Sequence, residues 1–217
     1  MRSSIPVRLL RLVFGLFLFA AGIALTLKAH IGYAPWDVFH VGLADSTGMT
    51  IGGASIATGL VIVAVTAMLG ERVGLGTLLN MVLIGVFLDG ILALDLLGAP
   101  TGYPAGGAMM LAGLFVIAFG SYFYIGSGFG AGPRDSLMVA LARKTRLPVG
   151  IARTGIELAA VVAGWRLGGL VGFGTVFSAL AIGFCVQLVF RLLRFDPTTV
   201  AHESLSQSLS LFFDRKE

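Results

Sequence analysis

Two aspartates in matching settings are the first candidates for chemistry. Asp37 closes Gly32-Tyr33-Ala34-Pro35-Trp36-Asp37, and Asp135 closes Gly130-Ala131-Gly132-Pro133-Arg134-Asp135, 98 positions later. Both stretches interrupt apolar sequence. Gly32 and Gly130 let the chain turn sharply. Pro35 and Pro133 suit the first turn of a helix, where a missing N–H is no loss. An aspartate in that turn meets the positive end of the helix dipole. Helix initiation therefore explains the motif by itself. A second reading stands beside it, because a helix broken at membrane depth is tolerated where it faces protein or a watery cavity. In such a cavity Asp37 can hold a cation, an amine or a proton, and Arg134 can hold an anion. Trp36, the counterpart of Arg134, offers a stacking face. His40 lies one turn after Asp37 and can share its proton or simply be hydrogen-bonded.

Other ionisable residues stand inside apolar segments, where charge is expensive. Asp89 has no basic neighbour within a turn, and its counterpart is Gln187. It is the leading single candidate for a proton or cation role, set against helix–helix hydrogen bonding. Arg153 and Glu157 are spaced i, i+4 and can pair along one helix face, either as a salt bridge at the cytoplasmic end of the span or within a pathway. Gly74-Leu75-Gly76-Thr77 and Gly172-Phe173-Gly174-Thr175 are similar to a phosphate loop only in their glycines. They lack its lysine and strand context, so a turn with a capping threonine is expected. The chain offers no catalytic triad, no H-E-x-x-H and no cluster of metal ligands. No enzyme activity, cofactor or metal is expected.

The elements that must position these residues are apolar helices. Of 217 residues, 57% are hydrophobic and 12% charged, and the mean hydropathy is +0.95. Soluble domains carry about 25% charged residues. The net charge of +4 and pI near 9.6 do not point to nucleic acid, since the basic residues flank apolar runs. The lone Cys185 sits in an apolar run, excludes an internal disulfide and reads as a packing residue. The run from Leu12 to Leu27 follows three arginines, but no A-x-A site follows it and the run recurs later, so it belongs to the fold.

The recurrence extends along the whole chain. At an offset of 98, Gly15 matches Gly113, Gly22 matches Gly120, Gly52 matches Gly150, and Val-Gly-Leu-Gly-Thr matches Val-Gly-Phe-Gly-Thr. Residues 1–97 form a first membrane repeat, 98–108 a connecting loop, 109–194 a second repeat and 195–217 a cytoplasmic tail. Each repeat contains three segments near the roughly 20 residues that span a bilayer. These run from about Leu12 to Ala29, Ile51 to Leu69 and Leu75 to Leu96, then Met109 to Ile125, Ile151 to Leu167 and Gly174 to Leu193. Each repeat also contains one segment too short to span, Asp37 to Gly48 and Asp135 to Arg146. The predicted fold is all-α and transmembrane, with about six spanning helices and two short re-entrant or interfacial half-helices.

An odd number of spans per repeat makes the duplication an inverted one. With the N-terminus in the cytoplasm, every basic residue except Lys28 and Arg166 falls inside. Letting the short helices span would move Arg72 and Arg134 out, which fits the positive-inside rule less well. The C-terminus is then cytoplasmic too. Inverted repeats with paired half-helix ends around a central site are a transporter architecture.

The G-x-x-P-x-D motif, Gly74-x-Gly76-Thr77-x-x-Asn80, Ile84-Gly85 and Asp89 together resemble the YczE branch of the YczE/YitT-like bacterial integral membrane proteins, over about residues 10–194. The missing soluble C-terminal domain favours that branch. In the second half Asn80 becomes Ser178 and Asp89 becomes Gln187, a departure from symmetry. The resemblance implies a multi-pass plasma-membrane protein and supplies neither a substrate nor catalytic residues. The expected function is a secondary transporter or permease for a small solute, with a site between the repeats. The alternative is a non-transporting accessory protein that stabilises a membrane partner. Expected partners are the lipid bilayer, a small solute, and either a second copy or another membrane protein.

Overall fold

The computed structural model describes residues 4–71, 73–200, 203 and 205. Arg2, Arg72, Arg215, Lys216 and most of the expected tail lie outside the described residues. Eight α-helices are described: α1 (Ile5–Lys28), α2 (Pro35–Thr47), α3 (Ile51–Met68), α4 (Leu75–Ala93), α5 (Tyr103–Gly126), α6 (Pro133–Thr145), α7 (Val149–Arg166) and α8 (Phe173–Leu192). The first residues of α1 to α4 and of α5 to α8 differ by 98 in every case.

Local chemistry explains the boundaries. Pro35 and Pro133 open α2 and α6 in the first turn. Thr50 caps α3 by accepting the Gly53 N–H at 3.0 Å. Gly48 ends α2 in the left-handed conformation at φ 73, and its counterpart Arg146 ends α6 at φ 60. In the G-x-G-T turns, the Gly74 and Gly172 N–H groups donate to the Thr77 and Thr175 hydroxyls at 3.2 and 3.1 Å. The threonines therefore cap α4 and α8 as expected. Asp196 starts a short 3-10 turn over Pro197–Thr199 by accepting the Thr198 N–H.

Five helices, α1, α3, α4, α5 and α8, are long and apolar enough to cross a membrane. The expected sixth span, Ile151 to Leu167, does not qualify alone. Its helix α7 carries Arg153, Glu157 and Arg166, and it qualifies only together with α6, from which it bends by 119°. The connecting loop is also shorter than 98–108, because α5 begins at Tyr103. Its first turns contain Pro104 and small residues, which a search for apolar runs passes over.

Helices α1 and α5 form the centre. Gly15 faces Gly120 and Gly22 faces Gly113, the register of two antiparallel helices. A Cβ on any of the four would lie 2.7–2.9 Å from the carbonyl oxygen opposite. Leu12, Leu16, Ala20, Leu114 and Ala118 fill the buried surroundings. Helix α4 packs on α1 and α8 on α5. Within the halves α3 also packs on α4, α2 on α3 and α6 on α7, and between the halves α2 packs on α7 and α3 on α6.

The two chain breaks interlock in the same way. Gly32 and Gly130 sit at φ 110 and 125, where a side chain is strained. The Gly174 N–H donates to the Ile31 carbonyl at 2.7 Å, and the Gly76 N–H to the Phe129 carbonyl at 2.8 Å. Each half thus binds the broken loop of the other through its own G-x-G-T turn. The Thr77 hydroxyl adds a bond to the Ala131 carbonyl at 2.7 Å.

The stretch after α8 is not simply a free tail. Phe195 packs edge-on against Tyr122 and Phe190, and Glu203 is buried.

Candidate functional site

The starts of α2 and α6 meet at one cavity of about 290 Å³. All eight helices contribute to its wall. Thr58, Ile84, Leu114 and Ile182 line it from the middle of α3, α4, α5 and α8. Most lining residues come in pairs 98 apart, such as Pro35 with Pro133, Asp37 with Asp135, Asn80 with Ser178 and Ile84 with Ile182. The cavity therefore lies on the line of correspondence between the two halves.

The charge is not shared evenly. Arg134 stands where the first half has Trp36, and Met138 where it has His40. Arg153 and Glu157 stand opposite Ser55 and Gly59. The Arg134 guanidinium carbon lies 4.9 Å from the centroid of the Trp36 ring. Its terminal nitrogen is 3.5 Å from His40 Nε2. On its other side, His40 Nδ1 is 3.7 Å from an Asp37 carboxylate oxygen. Asp37 and His40 are both almost fully buried. The Tyr124 hydroxyl donates to Asp135 at 3.0 Å. Arg153 Nε and a Glu157 carboxylate oxygen form an ion pair at 2.8 Å.

Six of the seven ionisable candidates, Asp37, His40, Arg134, Asp135, Arg153 and Glu157, thus line one space. Asp89 does not. Its carboxylate accepts the Thr50 hydroxyl at 2.6 Å and the Gly52 N–H at 2.7 Å. It sits at the N-terminus of α3, where unpaired N–H groups and the helix dipole favour an anion. This placement corrects the expectation that Asp89 lines the central site: its environment is that of a helix cap. The break glycines Gly32 and Gly130 act through backbone shape and loop docking, and Pro35 and Pro133 line the cavity directly.

Several polar wall residues were not singled out as site residues from sequence, among them Tyr124, Ser121, Ser178, Ser55 and Thr58. Tyr124 lies in an aromatic run that reads as lipid-facing or core. Its one distinguishing signal is its place a few residues before the second break. No group of three His, Cys, Asp or Glu side chains able to hold a metal occurs among the described residues.

The fold and cavity define an all-helical integral membrane protein with two helix breaks facing a polar interior. The chain belongs to a family of unknown function, DUF6198, whose model matches residues 6–191. It is similar to the "Uncharacterized membrane protein YczE" of Bacillus subtilis, at 39% identity over 175 residues, covering 80% of each chain. It is also similar to an "Uncharacterized protein" of Haemophilus influenzae, at 34% identity over 182 residues, covering 84% of this chain and 83% of the relative. The "Uncharacterized protein YyaS" of Bacillus subtilis is more distant, at 21% identity over 195 residues, covering 83% of this chain and 90% of the relative. No solved structure matches.

Proposed function

We propose that this chain is a secondary transporter or permease for a small polar solute, bound in the cavity between two halves of inverted topology. The observation that carries the reading is the meeting of both half-helix starts, through Arg134 and Trp36, at a cavity lined by every helix. Half-helix ends converging on a polar space are how many transporters bind solute away from water. The antiparallel glycine register of α1 and α5 supports inversion. So does the crossed packing of α2 on α7 and α3 on α6, which lets one half rock against the other around a fixed site. The basic residues at the apolar flanks support a plasma-membrane protein with cytoplasmic termini. The cavity residues are asked only to bind solute and protons, so the reading is non-enzymatic.

The test is flux in proteoliposomes. A panel of small polar solutes is added to vesicles holding the full chain and a trapped pH indicator, with labelled-solute uptake in parallel. At least one solute is expected to give saturable uptake that Asp37→Asn abolishes and Asp89→Asn retains. Folded protein that moves none of the panel would instead favour a non-transporting accessory protein bound to a membrane partner.

A further inference from the structure

We infer that the cavity binds an amino-acid-like zwitterion: a ligand with one ammonium group, one carboxylate and a compact apolar body. The inference deepens the transporter reading and rests on it for the direction of flux, but not for binding. Three carboxylates and two guanidiniums line the cavity. Arg153 and Glu157 neutralise each other as an ion pair. That leaves Arg134 facing the same space as Asp37 and Asp135.

These three groups do not neutralise one another directly. Among the described residues Arg134 forms no ion pair with a carboxylate, and its contacts are the Trp36 ring and the His40 nitrogen. Arginine carries five donors in a planar fork suited to a carboxylate. The contact with Trp36 holds the guanidinium in the cavity wall, and no carboxylate within ion-pair distance takes up its donors among the described residues. The Trp36 Nε1–H is buried and has no hydrogen-bond partner among the described residues. A buried donor of this kind is costly unless a ligand or water completes it.

Asp135 is exposed within the cavity wall and receives one hydrogen bond, from Tyr124. Among the described residues, no other donor reaches it. It is thus a carboxylate ready for an ammonium group. A simple cation would leave Arg134 unsatisfied beside it, and a simple anion would leave Asp37 and Asp135 uncompensated. A zwitterion meets Arg134 with its carboxylate and Asp135 with its ammonium group, while Asp37 keeps His40 Nδ1 at 3.7 Å. Much of the remaining wall is apolar, with Ile84, Leu114 and Ile117 set beside the neutral polar groups of Ser55, Thr58, Asn80 and Ser121. The volume of about 290 Å³ suits a body of amino-acid size.

The test compares leucine with its two half-ligands, 3-methylbutylamine and 4-methylpentanoate, which keep the same body and lose one charge each. Glycine, alanine and phenylalanine bracket the size. Binding to the full-length protein in detergent is read by thermal shift and by calorimetry. A zwitterion of the series is expected to bind at least tenfold more tightly than either half-ligand. Arg134→Gln should erase the advantage over the amine, and Asp135→Asn the advantage over the acid. The wild-type ligand comparison stands even where a variant fails to fold. Equal or tighter binding of a half-ligand overturns the inference, as does the absence of binding by every zwitterion tested. Uptake of the labelled zwitterion is measured separately. Binding without flux overturns the transporter reading and leaves the site. Saturable flux of a different solute keeps the transporter reading and overturns the zwitterion.

Discussion

Trp36 and Arg134 occupy equivalent positions in the two repeats and touch each other, guanidinium carbon to ring centroid at 4.9 Å. Residues that correspond across a duplication meet only where the two halves face each other. Their contact lies in the wall of the polar cavity. Desolvated stacking of this kind contributes about 2 kcal/mol. A double-mutant cycle with Trp36→Leu and Arg134→Gln should therefore return a coupling of about 1–2 kcal/mol in reversible unfolding. Additive single effects would show that the contact carries no energy of its own.

Asp89 is expected to matter for stability and not for binding. It holds the start of α3 through Thr50 and Gly52. Asp89→Ala should cost about 1–2 kcal/mol, the range for loss of a helix cap. Solute-dependent thermal shift or uptake should be unchanged in Asp89→Asn. Loss of uptake with unaltered stability would return Asp89 to the functional residues.

Gly22 and Gly113 allow α1 and α5 to touch. Gly22→Leu forces a side chain against backbone that cannot yield. It should lower stability by about 3 kcal/mol or more, at or above the upper end for overpacking. Size-exclusion profiles and melting temperature in detergent read this directly. At Gly107, where a Cβ meets nothing within 4 Å, Gly107→Ala is the control and should behave as wild type.

The orientation of the repeats can be read by labelling. Single cysteines at Thr47 and Thr145, both exposed at the ends of the short helices, should react with impermeant maleimide from opposite sides of the membrane. The native Cys185 is buried and gives little background. Labelling of both from one side would exclude inversion.

Glu203 holds the segment after α8 against the start of α1. Its carboxylate pairs with Arg8 at 2.8 Å, and its N–H donates to the Gly128 carbonyl at 2.9 Å. Breaking a buried pair at one partner costs up to about 3–5 kcal/mol. Arg8→Ala should therefore raise the rate of limited proteolysis after Val200 several-fold while the helical core stays intact. An unchanged cleavage rate would show that other contacts anchor the segment.

The helices were legible because their causes are local. Pro35 and Pro133 mark helix starts, Gly48 an end, and a long apolar run a span, whatever surrounds them. The connecting segment was less legible, since Pro104 and its small neighbours form helix without being strongly apolar. The site was legible in part. The Pro-x-Asp stretches announced Asp37, Arg134 and Asp135 because they break an apolar pattern. Asp89 breaks the pattern too, but the choice between a proton or cation role and helix–helix hydrogen bonding stayed open in the sequence because its partners, Thr50 and Gly52, lie at the start of another helix. Tyr124 was hidden because an aromatic run looks the same whether it faces lipid, core or cavity.

The sequence by itself determined a membrane-embedded helical chain with a pattern that recurs at an offset of 98 and one short helix in each half. Composition, hydropathy and the 98-residue offset act residue by residue and need no knowledge of neighbours. Only the tertiary structure decided which polar groups share a space. The G-x-G-T turns grip the opposite half's broken loop, α2 lies on α7, and α3 lies on α6. Those pairings bring six of the charged candidates to one cavity and leave Asp89 at a helix end. The physical reason is that the cost of a charge in a membrane depends on what packs against it, and that is a property of contacts far apart in the chain.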